Sequence, residues 1–191
     1  MKPRRRLVAF LGLGSKQGDG SFRYSQANYL PSDSLKDWLC DEVVTTEFMP
    51  IALATLGRVD EVVVLATVQA WRLHGDALLA QAHDRGLPTP SHRELPDGET
   101  PDQLWRQFEV VKEALRFGGE VLLDVTLGYR AQPVFAAAAV SFVRSVDPNP
   151  APIRMAYGAY DASQKGRTRL WDLTPFIDLL DWSQGLMLFL R

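Results

Sequence analysis

Three short, unbroken apolar runs punctuate the chain: Leu7–Leu11 (LVAFL), Glu61–Ala66 (EVVVLA) and Glu120–Val125 (EVLLDV). Runs of this length without alternation predict strands buried on both faces, as in a parallel sheet. Between them the period lengthens to that of helices. Phe48, Ile51, Ala52 and Leu56 predict a helix over Glu47–Leu56, capped by Thr45 or Thr46, with Pro50 tolerable only in its first turn. Trp71–Arg85 reads as a second helix, with Leu73, Ala77, Leu78, Ala80 and Ala82 towards the sheet and Gly86 as its stop. Thr100 caps a third, Pro101–Phe117, whose apolar face is Leu104, Trp105, Phe108, Val111 and Leu115. A small-residue helix runs from Ala131 to about Val146. Ile153–Tyr160 and Arg167–Leu173 then form a hairpin, and Thr174-Pro175 caps a final helix bearing Phe176, Ile177, Leu179, Leu180 and Trp182. Phe22–Leu30 is an extended segment that pairs with Val43–Thr46, and a short strand lies within Thr89–Glu94.

Strands alternating with helices predict an α/β fold: a Rossmann-like, doubly wound, mostly parallel sheet with helices on both faces and a C-terminal β-hairpin. Ligands of such sheets bind outside the carboxyl ends of the strands, where the strand order reverses. Three strand ends therefore matter: Gly12–Ser15, Thr67–Gln69 and Asp124–Arg130. The last carries Asp124, Thr126, Gly128 and Arg130 into a helix start. Free N–H groups, a glycine and an arginine at such a place suit a phosphate or carboxylate. The alternative is an ordinary strand-to-helix turn, with Asp124 or Thr126 as cap and Arg130 in a surface salt bridge.

Composition narrows the chemistry. A chain of 191 residues that is 46% hydrophobic is sized for one domain with a full core. Twenty-one basic and 23 acidic side chains leave a formal charge of -2, so any anion site is local and no general pull towards DNA is expected. Cys40 is the single cysteine, which excludes a disulfide within the chain and a cysteine-rich metal site. Arg4-Arg5-Arg6 precedes an apolar run, but one too short for a leader and followed by GSKQGDGS rather than a cleavage site. No stretch is long enough to span a bilayer, so a cytoplasmic protein is expected. GLGS is only a fragment of the dinucleotide fingerprint, because position 17 is Gln17. No P-loop or nucleophile elbow occurs. His74, His83 and His92 lack ligand spacing and read as surface residues; no metal and no cofactor are expected. Trp105 and Trp182 read as core, Trp71 as packing, and Lys165, Arg167 and Arg169 as a basic cluster in a hairpin loop.

LVAFLGLGS, LPDGETPDQLW, LLDVTLGYRAQPVFA and YGAYD…LWDLTPFIDLLDW follow one another in order. That series resembles the CARF (CRISPR-associated Rossmann-fold) sensor domains of type III CRISPR ancillary effectors, from Leu7 to about Trp182. The family's central pattern is D-[IV]-T-H-G-[FY]-R-x-x-P; Asp124, Thr126, Gly128, Tyr129, Arg130 and Pro133 match it, while Leu127 replaces the histidine. The resemblance implies a homodimer that binds a cyclic oligoadenylate, the tetra-adenylate above all, across its two-fold axis. It implies ligand contacts from Gly12, Leu13, Gly14, Ser15, Thr67, Gln69, Asp124, Thr126, Leu127, Gly128, Tyr129 and Arg130. It also implies a fused effector domain beyond residue 185, with Leu186–Arg191 as the connection or a dimer-packing tail. Arg85 and His92 stand seven apart across prolines, which does not fit a HEPN ribonuclease motif. A metal-independent ring nuclease is the enzymatic alternative, with Ser15, Thr126 and Arg130 as its candidate residues.

Overall fold

The computed structural model describes residues 3–128, 131–147, 150–160 and 166–189, with no description of the side chains at 160, 184 and 186–189. One eight-stranded sheet forms the middle layer. Its strands are β1 (Arg5–Leu11), β4 (Ala27–Pro31), β5 (Val44–Thr46), β6 (Glu61–Ala66), β7 (Ser91–Glu94), β8 (Glu120–Asp124), β9 (Ile153–Tyr160) and β10 (Arg167–Asp172). A two-stranded ribbon, β2 (Ser15–Lys16) with β3 (Phe22–Arg23), stands apart from it. Among the described residues five α-helices cover the sheet: α1 (Met49–Gly57), α2 (Val68–Asp84), α3 (Pro101–Leu115), α4 (Gln132–Val146) and α5 (Thr174–Phe189).

The strand order is β5-β4-β10-β9-β8-β1-β6-β7. The five strands from β9 to β7 run parallel, and β10 turns back beside β9 as the predicted hairpin. From β1 the chain builds outward through β6 and β7, then returns to lay β8 on the other side of β1. The strand order reverses between β1 and β8, which makes that boundary the switch point.

The pleat sorts the core into two layers. Leu7, Ala9, Val62, Val64, Leu122 and Ala156 face α1 and α2; Val8, Phe10, Val63, Leu65, Leu123 and Met155 face α3 and α4. Because β1, β6 and β8 are covered on both faces, they are apolar at consecutive positions, the pattern seen in the sequence. β4 pairs with β5 as expected, but its other edge joins β10 in parallel. That long-range pairing has no local signature.

Several predicted details are corrected. Arg5 and Arg6 of the basic N-terminal run are part of β1. Arg5 Nη2 bonds Glu120 Oε2 at 2.6 Å, and Arg5 Nη1 donates to the carbonyls of Trp38 (2.7 Å) and Gly57 (3.0 Å). Arg6 pairs with Glu61 at 2.9 Å. Neighbouring strands thus supply partners that let two arginines enter the sheet. In α2 the buried stripe is Ala70, His74, Leu78 and Ala82, stepping by one turn, whereas Leu73 is exposed. Reading His74 as polar surface rotates the predicted face away from the true one.

Trp105 and Trp182 are also corrected, being 68% and 82% exposed rather than core. Gln107, Val111, Ala114 and Leu115 are the buried residues of α3, and of the apolar residues predicted for α5 only Ile177 is buried. Periodicity tells which residues share a helix face but not whether a neighbour covers it. The boundary expected after residue 185 falls inside α5, which continues to Phe189.

The Arg5–Glu120 pair is largely buried, so removing one partner leaves a desolvated charge. Arg5→Ala is expected to lower the unfolding free energy by about 3 kcal/mol. Lys36→Ala, which breaks an exposed pair with Asp33, is expected to leave the unfolding free energy nearly unchanged. Urea unfolding measures both, and equal effects would contradict a structural role for Arg5.

Candidate functional site

The turn after β1 is built on two glycines that have no room for a side chain. A Cβ at Gly12 would lie 2.8 Å from the Leu127 carbonyl oxygen, and one at Gly14, where φ is +80°, would lie 2.6 Å from that of Arg23. The first contact brings the turn after β1 against the turn after β8; the second brings it against the β2–β3 ribbon. Two side chains fix the carbonyls of this turn. The Tyr24 hydroxyl donates to Gly12 O at 2.7 Å, and His74 Nε2 lies 2.9 Å from Leu13 O. A carbonyl only accepts, so the His74 proton sits on Nε2. His74 is 7% exposed and packs its ring against Tyr24, with centroids 4.8 Å apart, which replaces the surface role predicted for it. Burial pushes the Tyr24 phenol far above its ordinary value, so it stays a neutral donor.

The turn after β8 closes on itself. Asp124 Oδ1 accepts from the Thr126 amide at 2.8 Å, and the Gly128 amide donates to Val125 O at 3.4 Å. Asp124 therefore caps this turn, while α4 begins from Ala131 without a side-chain cap. Thr126 Oγ1 accepts from the Gly158 amide of β9 at 2.8 Å. The Thr126 hydroxyl thereby holds the turn against the sheet. Asp124 is fully buried, and its Oδ2 has no hydrogen-bond partner among the described residues. Desolvation pushes its carboxyl up to about 7, against the opposing effect of hydrogen bonds from Thr126. Tyr129 and Arg130, both predicted site residues, lie outside the described residues, as does Lys165.

Between the two turns opens a cleft of about 480 Å³, within the range of small-molecule sites. Of the predicted ligand residues, Gly12, Leu13, Gly14, Ser15, Thr126, Leu127 and Gly128 line it, and Asp124 is buried in the turn that carries three of them. Thr67 and Gln69 do not join them. Thr67 Oγ1 accepts from the Ala70 amide as the cap of α2, and Gln69 lines a separate cavity with Arg72, Glu94 and Asp97. Trp71 stacks on His92 with centroids 4.4 Å apart and planes at 4°, as the packing reading expected.

Phe22, Tyr24, Ser25, Tyr29, Glu47 and Thr168 complete the cleft, and sequence reasoning missed all six. Tyr29 and Thr168 meet as register partners in the β4–β10 pairing, which brings a C-terminal strand beside residues near the N-terminus. Glu47 is the one carboxylate or cation among the described lining residues. Arg167 and Arg169 alternate with buried Thr168 and Leu170, so their exposed side chains point to the other face of β10. Among the described residues no three His, Cys, Asp or Glu side chains gather as a metal site, and no helix is long and apolar enough to cross a membrane.

The raised Asp124 pKa carries a sign. The folded carboxyl keeps its proton to higher pH than the unfolded one, whose ordinary value is 3.8. Stability therefore falls as pH rises between about 4 and 7, by up to ~1.4 kcal/mol per pH unit, and the loss is complete above that window. Asp124→Asn removes this dependence. Its unfolding free energy relative to the wild type should climb across the window and then level off, whereas a constant difference from pH 4 to 8 would contradict a buried, desolvated carboxyl. No protein-family model matches the sequence and no curated protein matches it significantly, so the reading of this cleft rests on its own residues and geometry.

Proposed function

We propose that this domain is a sensor for a cyclic oligoadenylate, with the tetra-adenylate as its ligand, held at the two-fold axis of a homodimer. The observation that carries the reading is the meeting of the Gly12–Ser15 and Thr126–Gly128 turns on one cleft at the switch point of the sheet. These are the turns that the CARF-like motifs occupy. A ring with its own two-fold symmetry matches a pair of identical clefts, each taking half of it. Occupation of both clefts would then set the geometry of the dimer and, through it, of an effector domain fused to the chain.

Holding the ring is favoured over cutting it. Thr126, one of the residues a cleavage reaction would use, has its hydroxyl oxygen engaged by the Gly158 amide. Ser15 lies exposed on the rim.

Isothermal titration with cyclic tri-, tetra- and hexa-adenylate tests the proposal. The expected result is saturable binding of the tetra-adenylate at one ring per two chains. Arg130 is the matched cation of the motif, and Arg130→Ala is expected to weaken binding by about 1.5–3 kcal/mol, the range for a charge-assisted hydrogen bond. No binding of any ring would overturn the reading. Conversion of the ring to a linear product without metal would make the domain a nuclease instead.

A further inference from the structure

The helices leave one corner of the sheet bare. On the face that carries Ile153 and Met155 of β9, these two are buried with Val140 and Val143 of α4 and Ile177 of α5. Two residues further along β9 that cover ends. Tyr157 is 40% exposed, and its register partner on β10, Trp171, is 45% exposed. Arg167, Arg169 and Trp171 stand at alternate positions of β10 and are all exposed, so they share this face. Ala159 lies beside Arg169 on one side; Asn28 and Leu30 of β4 lie beside Arg167 and Arg169 on the other. The surface spans β4, β10 and β9 and faces away from the cleft, whose wall takes the alternate residues Tyr29 and Thr168.

Its chemistry is aromatic and cationic. The Arg169 guanidinium lies 5.9 Å from the centre of the Trp171 ring, within reach of a cation–π contact. The nearby carboxylates are taken: Asp33, within electrostatic reach of Arg169, pairs with Lys36 at 2.6 Å, and Asp172 pairs with Arg154 at 2.9 Å. Exposed rings beside free guanidinium groups suit a single-stranded nucleic acid, whose bases stack on the rings while its phosphates meet the arginines. A duplex keeps its bases stacked on one another and offers no such faces. A second copy of the chain fits less well. Arg169 stands in the middle of the face, so a two-fold contact centred there sets like charges against each other.

The edge of the face adds a polar group. The Thr45 hydroxyl of β5 donates to Asn28 Oδ1 at 2.7 Å, which leaves the Asn28 amide nitrogen as a donor beside Arg167. Such a donor suits a ribose 2′-hydroxyl, the group that distinguishes RNA from DNA.

We propose that the bare face of β4, β10 and β9 binds single-stranded RNA. Tyr157 and Trp171 carry stacked bases, Arg167 and Arg169 hold phosphates, and Asn28 meets a 2′-hydroxyl. This goes beyond the sensor reading and stands apart from it, because the cleft lies on the opposite side of the sheet.

Fluorescence anisotropy with labelled decauridylate, a strand with no adenine to offer the cleft, tests the proposal. The expected result is saturable binding that weakens as salt rises. Trp171→Ala should weaken it by about tenfold, within the range for one lost base stack, while Trp171→Phe stays within about threefold of the wild type. Arg167→Ala should lower the slope of log affinity against log salt by about 0.7, the share of one phosphate contact on a single strand. Trp105→Ala, which removes an exposed tryptophan from α3, should leave the affinity unchanged. Decadeoxyuridylate, which lacks only the 2′-hydroxyls, should bind more weakly by about threefold or more. Absence of saturable binding to decauridylate overturns the proposal, as do equal losses in Trp105→Ala and Trp171→Ala. Equal affinity for the deoxy strand overturns the assignment to RNA. Dissociation of a dimer by Trp171→Ala, seen by sedimentation with RNA affinity unchanged, gives the face to a second copy instead.

Discussion

The sheet depends on one strand that cannot reach water. β1 is paired on both edges and covered on both faces, so the chain enters and leaves it only at its ends. Both ends are therefore fixed tightly. At the start, the Arg5 guanidinium joins Glu120 on β8 to the carbonyls of Trp38 and Gly57. At the finish, Gly12 lets the backbone pass the Leu127 carbonyl at a distance no side chain would permit. The separation between β1 and β8 is thus set along their whole length, and the cleft above them inherits that precision.

The same close passage explains why the cleft has polar anchors beneath it and apolar walls within it. Backbone carbonyls that turn inward at Gly12 and Leu13 need donors, and Tyr24 and His74 supply them from the neighbouring ribbon side and from α2. Their rings, packed on Phe48, then double as part of the hydrophobic support. Thr126 does the equivalent for the other turn by accepting from Gly158, where the absence of a side chain leaves space for Met49, Thr126 and Thr168 to meet. The hydroxyls and rings that look most available for chemistry in the sequence are in large part structural. Glu47 and Thr168, which the sequence does not mark, are the polar groups the structure brings into the cleft wall.

Apolar periodicity was sufficient for the central strands and for the existence of all five helices, because burial on both faces leaves a continuous run and burial on one leaves a stripe. It was insufficient for deciding which stripe is covered. Trp105 and Trp182 lie on helices whose inner faces are filled by smaller residues, and no local rule reports the presence of a neighbour. His74 shows the converse: a polar residue at a core position, accepted because a carbonyl of a distant turn is there to pair with it.

The sequence by itself determined the α/β alternation, the hairpin at the end, and the two turns that meet at the switch point, since the positive φ at Gly14 and the Asp124 cap on the Thr126 amide are local requirements of backbone geometry. Only the tertiary structure decided what shares the cleft with those turns. The parallel pairing of β4 with β10 brings Tyr29 and Thr168 together across about 140 residues of chain, and the relay through Gln81 holds Glu47. Such contacts depend on loop closure and sheet order, which leave no periodic trace in the residues they join.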